Sequence, residues 1–378
     1  MLSILLTVLL MACVPMNNND FWREIRFDVK PEEQSVKALH HVGDSIIFLI
    51  GAKAIAPTNW DLKTDRPFFR ISTDGGKSWK EKTDFDCNSL NEILFFNDIV
   101  IIIDGWINHE YHRDGSLYSD IAHKYYKFYI AENKWEELKI TDERISGLSE
   151  IISSEIYIAG NKQRDESQPY FYLVTRDGGK NWIEHSLPFH MWDHFYEKCV
   201  QGNKLWGIRF KYIEGKTTQH LLVSINLDTW EVIDEIPLGT LHDYTDEKGK
   251  SRRANTHEIT KIVAQDETLY LLGKDETKNM GHIWKMNVND KKIEVQENFE
   301  LTKDQSPIEL FIHKDKFIVV YMDMTNFIPT YILLYKKFNE KSWHKENFPY
   351  FTDASCISFN NGVLMGIAEG NKIYYREF

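Results

Sequence analysis

The chain has little cysteine, a deficit of basic charge, and a leading apolar run too short to cross a bilayer. Four cysteines stand in 378 residues, at positions 13, 87, 199 and 356. None makes a CxxC or a Cys/His spacing of the kind that holds zinc. Once Cys13 is set aside, three remain, and an odd number cannot form a complete disulfide framework. Lysine and arginine total 45 against 57 acidic residues, a net charge of -12. This balance excludes general nucleic-acid binding, which needs a basic surface to displace counterions. The run MLSILLTVLLMAC, Met1 to Cys13, is apolar apart from Ser3 and Thr7. As a helix it would reach only about 20 Å, short of the roughly 30 Å of a hydrocarbon core. Residues 1–12 therefore read as the apolar core of a secretion signal.

What the chain has in quantity is aromatic rings: 22 Phe, 18 Tyr and 11 Trp. They suit a protein of packed sheets. The stretch STDGGKSW, Ser72 to Trp79, returns as TRDGGKNW, Thr175 to Trp182. Weaker echoes share one shape, a β-rich run, a polar turn and a short strand that opens near Trp135, Trp230 or Trp343, or at Lys292–Ile293 in place of Trp. The spacing of these units is about 50 residues, with four short strands in each, which predicts a β-propeller. The final segment supplies three strands, ASCISFNN, GVLMGIAEG and KIYYREF, and no fourth. The early FWREIRFDV is an outer strand without a blade. Joining them gives an all-β fold of seven four-stranded antiparallel blades, closed by the N-terminal strand; six blades is the alternative count. Residues 21–378 are then one domain, and 13–20 a tether.

Each part of the box has a turn role. Gly75 and Gly76 allow positive backbone angles, Asp74 accepts N–H groups, and Trp79 starts the outer strand. Ser72, Asp74, Gly76 and Trp79, with Thr175, Asp177, Gly179 and Trp182, are assigned as structural. The two copies resemble the Asp-box, or BNR repeat, of the sialidase-like propellers. Separately, LMAC, Leu10 to Cys13, resembles the lipobox of bacterial lipoproteins. That resemblance implies lipid attachment at Cys13, export to the cell envelope, and an outer-membrane location if the host is Gram-negative. Cys199 and Cys356 fall on inner strands of blades four and seven and Cys87 just before that of blade two. Bridging needs Cα atoms within about 7 Å, so free thiols are expected.

In Asp-box propellers the boxes lie on one rim, and the B–C and D–A connections lie on the other, at the mouth of the central channel. The long connections here are of that second kind, as expected of a rigid scaffold that carries a site on its loops. They hold Trp60 and Asp61, then Trp106, His109, His112 and Arg113, then Arg164 and Glu166. The connection before blade five adds His242, Asp243, Arg252 and Arg253. The resemblance implies one enzymatic reading, an exo-sialidase or other glycoside hydrolase. Sialidases of this type use three arginines, a Tyr/Glu pair and an Asp, on six blades, with an early Phe/Tyr-Arg-Ile-Pro motif. FFRIS, Phe68 to Ser72, is only a look-alike that runs into the first box, and no spacing singles out three arginines. Catalytic carboxylates could come from Asp61, Asp104, Glu166 or Asp243. His109 and His112 lack further ligands for zinc. No cofactor or metal is expected. The favoured reading is a monomeric, non-enzymatic binding propeller for an envelope protein or a glycan. Seven-bladed Asp-box proteins that this chain resembles include assembly factors that hold a protein partner and propellers that bind glycans.

Overall fold

The computed structural model describes residues 22–27, 34–53, 66–96, 100–108, 121–140, 145–153, 155–161, 170–189, 194–213, 216–239, 241–245, 249, 251–255, 257–275, 277–325, 329–348, 356–368 and 372–378. The expected signal, the tether and Cys13 lie outside them. Seven four-stranded antiparallel sheets follow one another around a ring. Strands are lettered A to D from the channel outward. Blade one is Gln34–Val42, Ile46–Lys53, Arg66–Ser72 and Lys80–Lys82. Blade two is Ser89–Phe96, Val100–Asn108, Ile121–Tyr129 and Lys134–Leu138. Blade three is Ile145–Ile151, Tyr157–Asn161, Tyr170–Thr175 and Ile183–Leu187. Blade four is His194–Gln201, Lys204–Ile213, Lys216–Asn226 and Val232–Pro237. Blade five is Glu258–Gln265, Thr268–Asp275, Met280–Asn287 and Ile293–Glu300. Blade six is Gln305–His313, Lys316–Asp323, Thr330–Lys337 and His344–Asn347.

Blade seven has Ile357–Asn360, Val363–Ala368 and Lys372–Glu377, and takes its D strand from Arg23–Arg26. The register pairs Arg23 with Tyr375 and Ile25 with Ile373. Closure by the first described strand is thus realised. The connection before blade five differs from the irregular loop expected there. Leu241–Thr245 and Ser251–Asn255 pair as a separate antiparallel hairpin. Paired in this way, the two segments satisfy each other's backbone groups, which a long open loop cannot.

Period-two patterning builds the core. In strand B of blade one, Ile47 and Leu49 pack toward blade seven, while Phe48 and Ile50 pack toward blade two. The same alternation repeats around the ring, so that each pair of neighbouring blades shares one apolar cluster. Strands that are apolar on both faces are what blades stacked side by side require. Cys87, Cys199 and Cys356 are free thiols. Burial pushes the first two up to about 12, which leaves them unreactive.

The boxes join blades together as well as closing turns. Ser72 Oγ accepts the Gly76 N–H at 2.7 Å and donates to Asp74 Oδ1 at 2.8 Å. Asp74 also accepts the Ser78 N–H at 2.9 Å. Thr175, Asp177, Gly179 and Asn181 repeat these bonds. Hydrogen bonds, led by that from the Ser78 hydroxyl, hold Asp74 down to about 2, and bonds from Asn181 do the same for Asp177. Gly76 and Gly179 have φ of 86° and 92°. A Cβ at Gly76 would overlap Ile25, and one at Gly179 would overlap Leu138. Both are D-strand residues of the preceding blade. Of the tryptophans at these turns, Trp182 Nε1 donates to Lys139 O at 3.2 Å and Trp343 Nε1 to Asn298 O at 2.9 Å, both on the preceding blade, whereas Trp79 Nε1 turns back to Gly76 O at 3.1 Å. Blades four and five close C–D differently, with a five-residue turn. Trp230 N donates to Asn226 O, and Lys291 N to Asn287 O, with φ of 62° and 59° at Trp230 and Lys291. Trp230 therefore ends its turn and corresponds to Lys291, one step removed from the box tryptophans.

Candidate functional site in the central channel

The inner strands of blades one to six each carry a β-bulge, at Val36/Ala38, Leu90/Glu92, Leu148/Glu150, Tyr196/Lys198, Ile259/Lys261 and Pro307/Glu309. A bulge re-aims the next side chain. The residue after it is Ala38 in blade one and ionisable in the other five: Glu92, Glu150, Lys198, Lys261 and Glu309. The extra residue of the fourth bulge, Glu197, has φ of 43°. One register position thus yields a ring of charge around the channel.

These groups act on one another across blades. Lys261 Nζ lies 3.1 Å from a Glu309 carboxylate oxygen and 3.8 Å from Glu197. Lys198 of blade four is felt by Glu92 of blade two, and Lys261 of blade five by Glu150 of blade three. Coupling between non-adjacent blades requires these side chains to converge on the channel. Burial acts to lower the Lys261 ammonium, but Glu309, Glu197 and Glu150 outweigh it and raise its pKa. Burial raises Glu309, against the pull of Lys261. Desolvation and then Asp104 raise Glu92, an exposed residue that faces Asp104 in register. Burial pushes Glu150 up to about 7, with Lys198 and Lys261 opposing and Glu197 and Glu92 adding to the rise. Asp104, buried, holds His123 Nδ1 at 3.0 Å.

The structure describes only some of the side chains expected from the sequence. Trp60, Asp61, His109, His112, Arg113, Arg164 and Glu166 lie outside the described residues. Trp106 is on strand B of blade two, its backbone paired with Ser89 and His123. His242, Asp243, Arg252 and Arg253 belong to the extra hairpin, where Asp243 pairs in register with Arg253. Asp104 is brought to the channel cluster. The remainder of that cluster was missed, although a signal existed: NEIL, SEII, EKCV, TKIV and IELF each put charge into a strand otherwise read as apolar. Among the described residues no group of His, Cys, Asp and Glu is placed to hold a metal ion. Nor is any described helix long and apolar enough to cross a membrane.

No family model and no curated protein matches the chain. Solved structures do. The acylaminoacyl peptidase of Pyrococcus horikoshii aligns with a TM-score of 0.51 at 9% identity, over 89% of this chain and 49% of that one. The chain thus spans about half the length of that peptidase. The β-propeller domain of the trilobed protease from Pyrococcus furiosus aligns with a TM-score of 0.52 at 10% identity, over 92% of this chain and 94% of that one. At such identity the likeness shows the fold alone. That domain is described as having an open velcro topology, whereas Arg23–Arg26 closes blade seven here. The chain is a seven-bladed β-propeller with a charged channel.

Proposed function

We propose that this propeller is a non-enzymatic binding protein that holds an envelope protein or a glycan on its B–C and D–A face, tethered to the membrane by lipid at Cys13. The observation that carries the reading is the asymmetry of the two rims. Box-side connections are tight: residues 43–45 join A to B in blade one, and the two boxes join C to D. On the other rim the B–C connections of blades one and two span 54–65 and 109–120, and a whole hairpin precedes blade five. Elaboration confined to one rim of a rigid ring is how such scaffolds acquire a recognition face.

A second reading, a glycoside hydrolase, draws support from one feature. Glu92 and Glu150 on adjacent inner strands both have raised pKa values, as a general acid requires. The two are separated by assaying the chain from residue 14 with fluorogenic sialosides and other glycosides, beside crosslinking and pull-down from envelope fractions. Specific capture of a partner without turnover is the expected outcome. Turnover that vanishes in Glu92→Gln or Glu150→Gln would replace the binding reading with the hydrolase.

A further inference from the structure

Blade one meets the A and B strands of blade seven through non-covalent contacts between residues 317 and 322 apart in sequence. Two consecutive histidines lie at the centre of this joint. His41 is fully buried. Its Nε2 lies 3.0 Å from Val363 O, which can only accept, so Nε2 carries the hydrogen. Nδ1 is then bare and accepts the Ser358 hydroxyl at 2.9 Å. That bond uses the hydroxyl's one hydrogen. Ser358 Oγ in turn accepts from His40 Nδ1, 3.4 Å away, which leaves His40 Nε2 bare. His40 Nε2 is buried and has no hydrogen-bond partner among the described residues. With the hydrogens so placed, both imidazoles are neutral.

A further proton has no place in this chain of bonds. On His41 Nδ1 it would face the Ser358 hydroxyl. The hydroxyl hydrogen would then have to turn toward His40 Nδ1 and displace that ring's own hydrogen to Nε2. On His40 Nε2, by either route, it would make a buried N–H without an acceptor. No carboxylate stands by to offset the charge. Strands Ile357–Asn360 and Val363–Ala368 contain no ionisable residue. Strand B of blade one has only Lys53, at its far end, and the A strand of blade two only Glu92, three residues before the Phe95 ring that packs on His40. Lys37 and Asp44, near the pair in sequence, are exposed. Burial lowers both imidazoles, and His41 lowers His40 further.

We infer that His40, Ser358 and His41 form an acid-released latch, which parts blade one from blade seven when the imidazoles take up protons. The inference goes beyond the binding reading and does not rest on it. In the parted state both rings reach water and titrate near their ordinary 6.5, so opening takes up protons and acid drives it. The latch is whole above that pH and weakens as pH falls below it. Parting uncovers Leu39 and Leu49 of blade one and Met365 and Ile367 of blade seven, an apolar face that the closed ring hides. From pH 7.5 to 5.5 the opening constant should rise about tenfold for each histidine, and about a hundredfold for the pair.

The test is hydrogen exchange followed by mass spectrometry on the full chain in mild detergent, at pH 7.5 and 5.5. Rates are corrected for the intrinsic effect of pH on amide exchange. Protection of residues 35–42 and 357–367 should fall about a hundredfold, while that of 317–321, buried inside blade six, should change little. His40→Gln and His41→Gln should each reduce the fall to about tenfold, and the double variant should remove it. Nitrogen-15 spectra of the wild-type imidazoles give a second readout that needs no substitution. At pH 7.5 one ring should carry its hydrogen on Nε2 and the other on Nδ1. An equal fall in both regions, an unchanged joint, a hundredfold fall that persists in the double variant, or an imidazolium at the joint at pH 7.5 would overturn the inference.

Discussion

Glu150 titrates at about 7 in the fold, against an ordinary value of 4.5. Below pH 4.5 the group is protonated in both states and costs the fold nothing. As pH rises through that range the unfolded chain ionises freely while the folded chain must keep its proton. The cost therefore develops between about 4.5 and 7, and amounts to roughly 3 kcal/mol above that window. Glu150→Gln should raise the urea midpoint at pH 8, by the equivalent of about 2 to 3 kcal/mol, and change little at pH 4.5. A drop at pH 8 would mean that the carboxylate is ionised and paired. The histidines at the closing seam run the other way. His41 of blade one bonds Ser358 Oγ at 2.9 Å and Val363 O at 3.0 Å, both on blade seven. Burial lowers it from 6.5 to about 4, and lowers neighbouring His40 to about 3. Their contribution is whole above pH 6.5 and is lost as pH falls toward 4. In His41→Gln, about 2 kcal/mol of the acid-induced loss between pH 7 and 4.5 should disappear. An unaltered slope in denaturant titrations at the two pH values would assign that loss to other groups.

At the level of the element, the box is a turn whose second glycine is also a socket. Gly76 must be glycine twice over, for its positive φ and because Ile25 occupies the space a Cβ would need. Gly76→Ala should cost on the order of 2 kcal/mol or more from strain and overlap together. Shortening the intruding chain in Gly76→Ala/Ile25→Ala should return the overlap part and leave the strain. Strict additivity of the two changes in denaturant melts would show that the contact is not tight. Asp74→Ala and Asp177→Ala should lower the melting temperature and leave ligand capture intact. The turn chemistry of these boxes was legible because every residue in them answers a local demand. The partner of each box was not, since Ile25 and Leu138 lie on a neighbouring blade and no spacing within STDGGKSW or TRDGGKNW encodes that meeting. The seven blades and the borrowed strand were legible from periodicity, which is a property of the chain. The channel ring was hidden by a bias toward loops. A lone glutamate in LSEII resembles a solvated edge residue until five blades are aligned on their bulges. The hairpin at 241–255 escaped for the opposite reason: its charged, glycine-containing sequence carries a weak strand signal, and register pairing alone makes it a ribbon.

On the scale of the whole molecule, stability depends on the ring being shut. Each blade presents two apolar faces, and seven shared clusters leave no described face bare. The strand Arg23–Arg26 and its flanks serve two of these seams. Phe27 and Ile25 belong to the cluster between blades seven and one, and Trp22 packs into that between blades six and seven. Trp22 lies 5.0 Å from the Phe348 ring. Removing 22–27 therefore takes away three large apolar side chains, a ladder paired with Lys372 to Tyr375, and the occupant of the Gly76 socket. At about 1.5 to 3 kcal/mol for each buried side chain, the loss is about 5 kcal/mol or more before the uncovered faces are counted. Removing six residues from the 54–65 connection should cost far less, because loop-closure entropy changes slowly with length. The strand deletion should thus lower the denaturation midpoint well below that of the loop deletion and broaden the transition, since an opened ring can fray one blade at a time. Equal midpoints for the two deletions would mean that the blades hold together without their clasp, and the seams, rather than the closure, would then carry the fold.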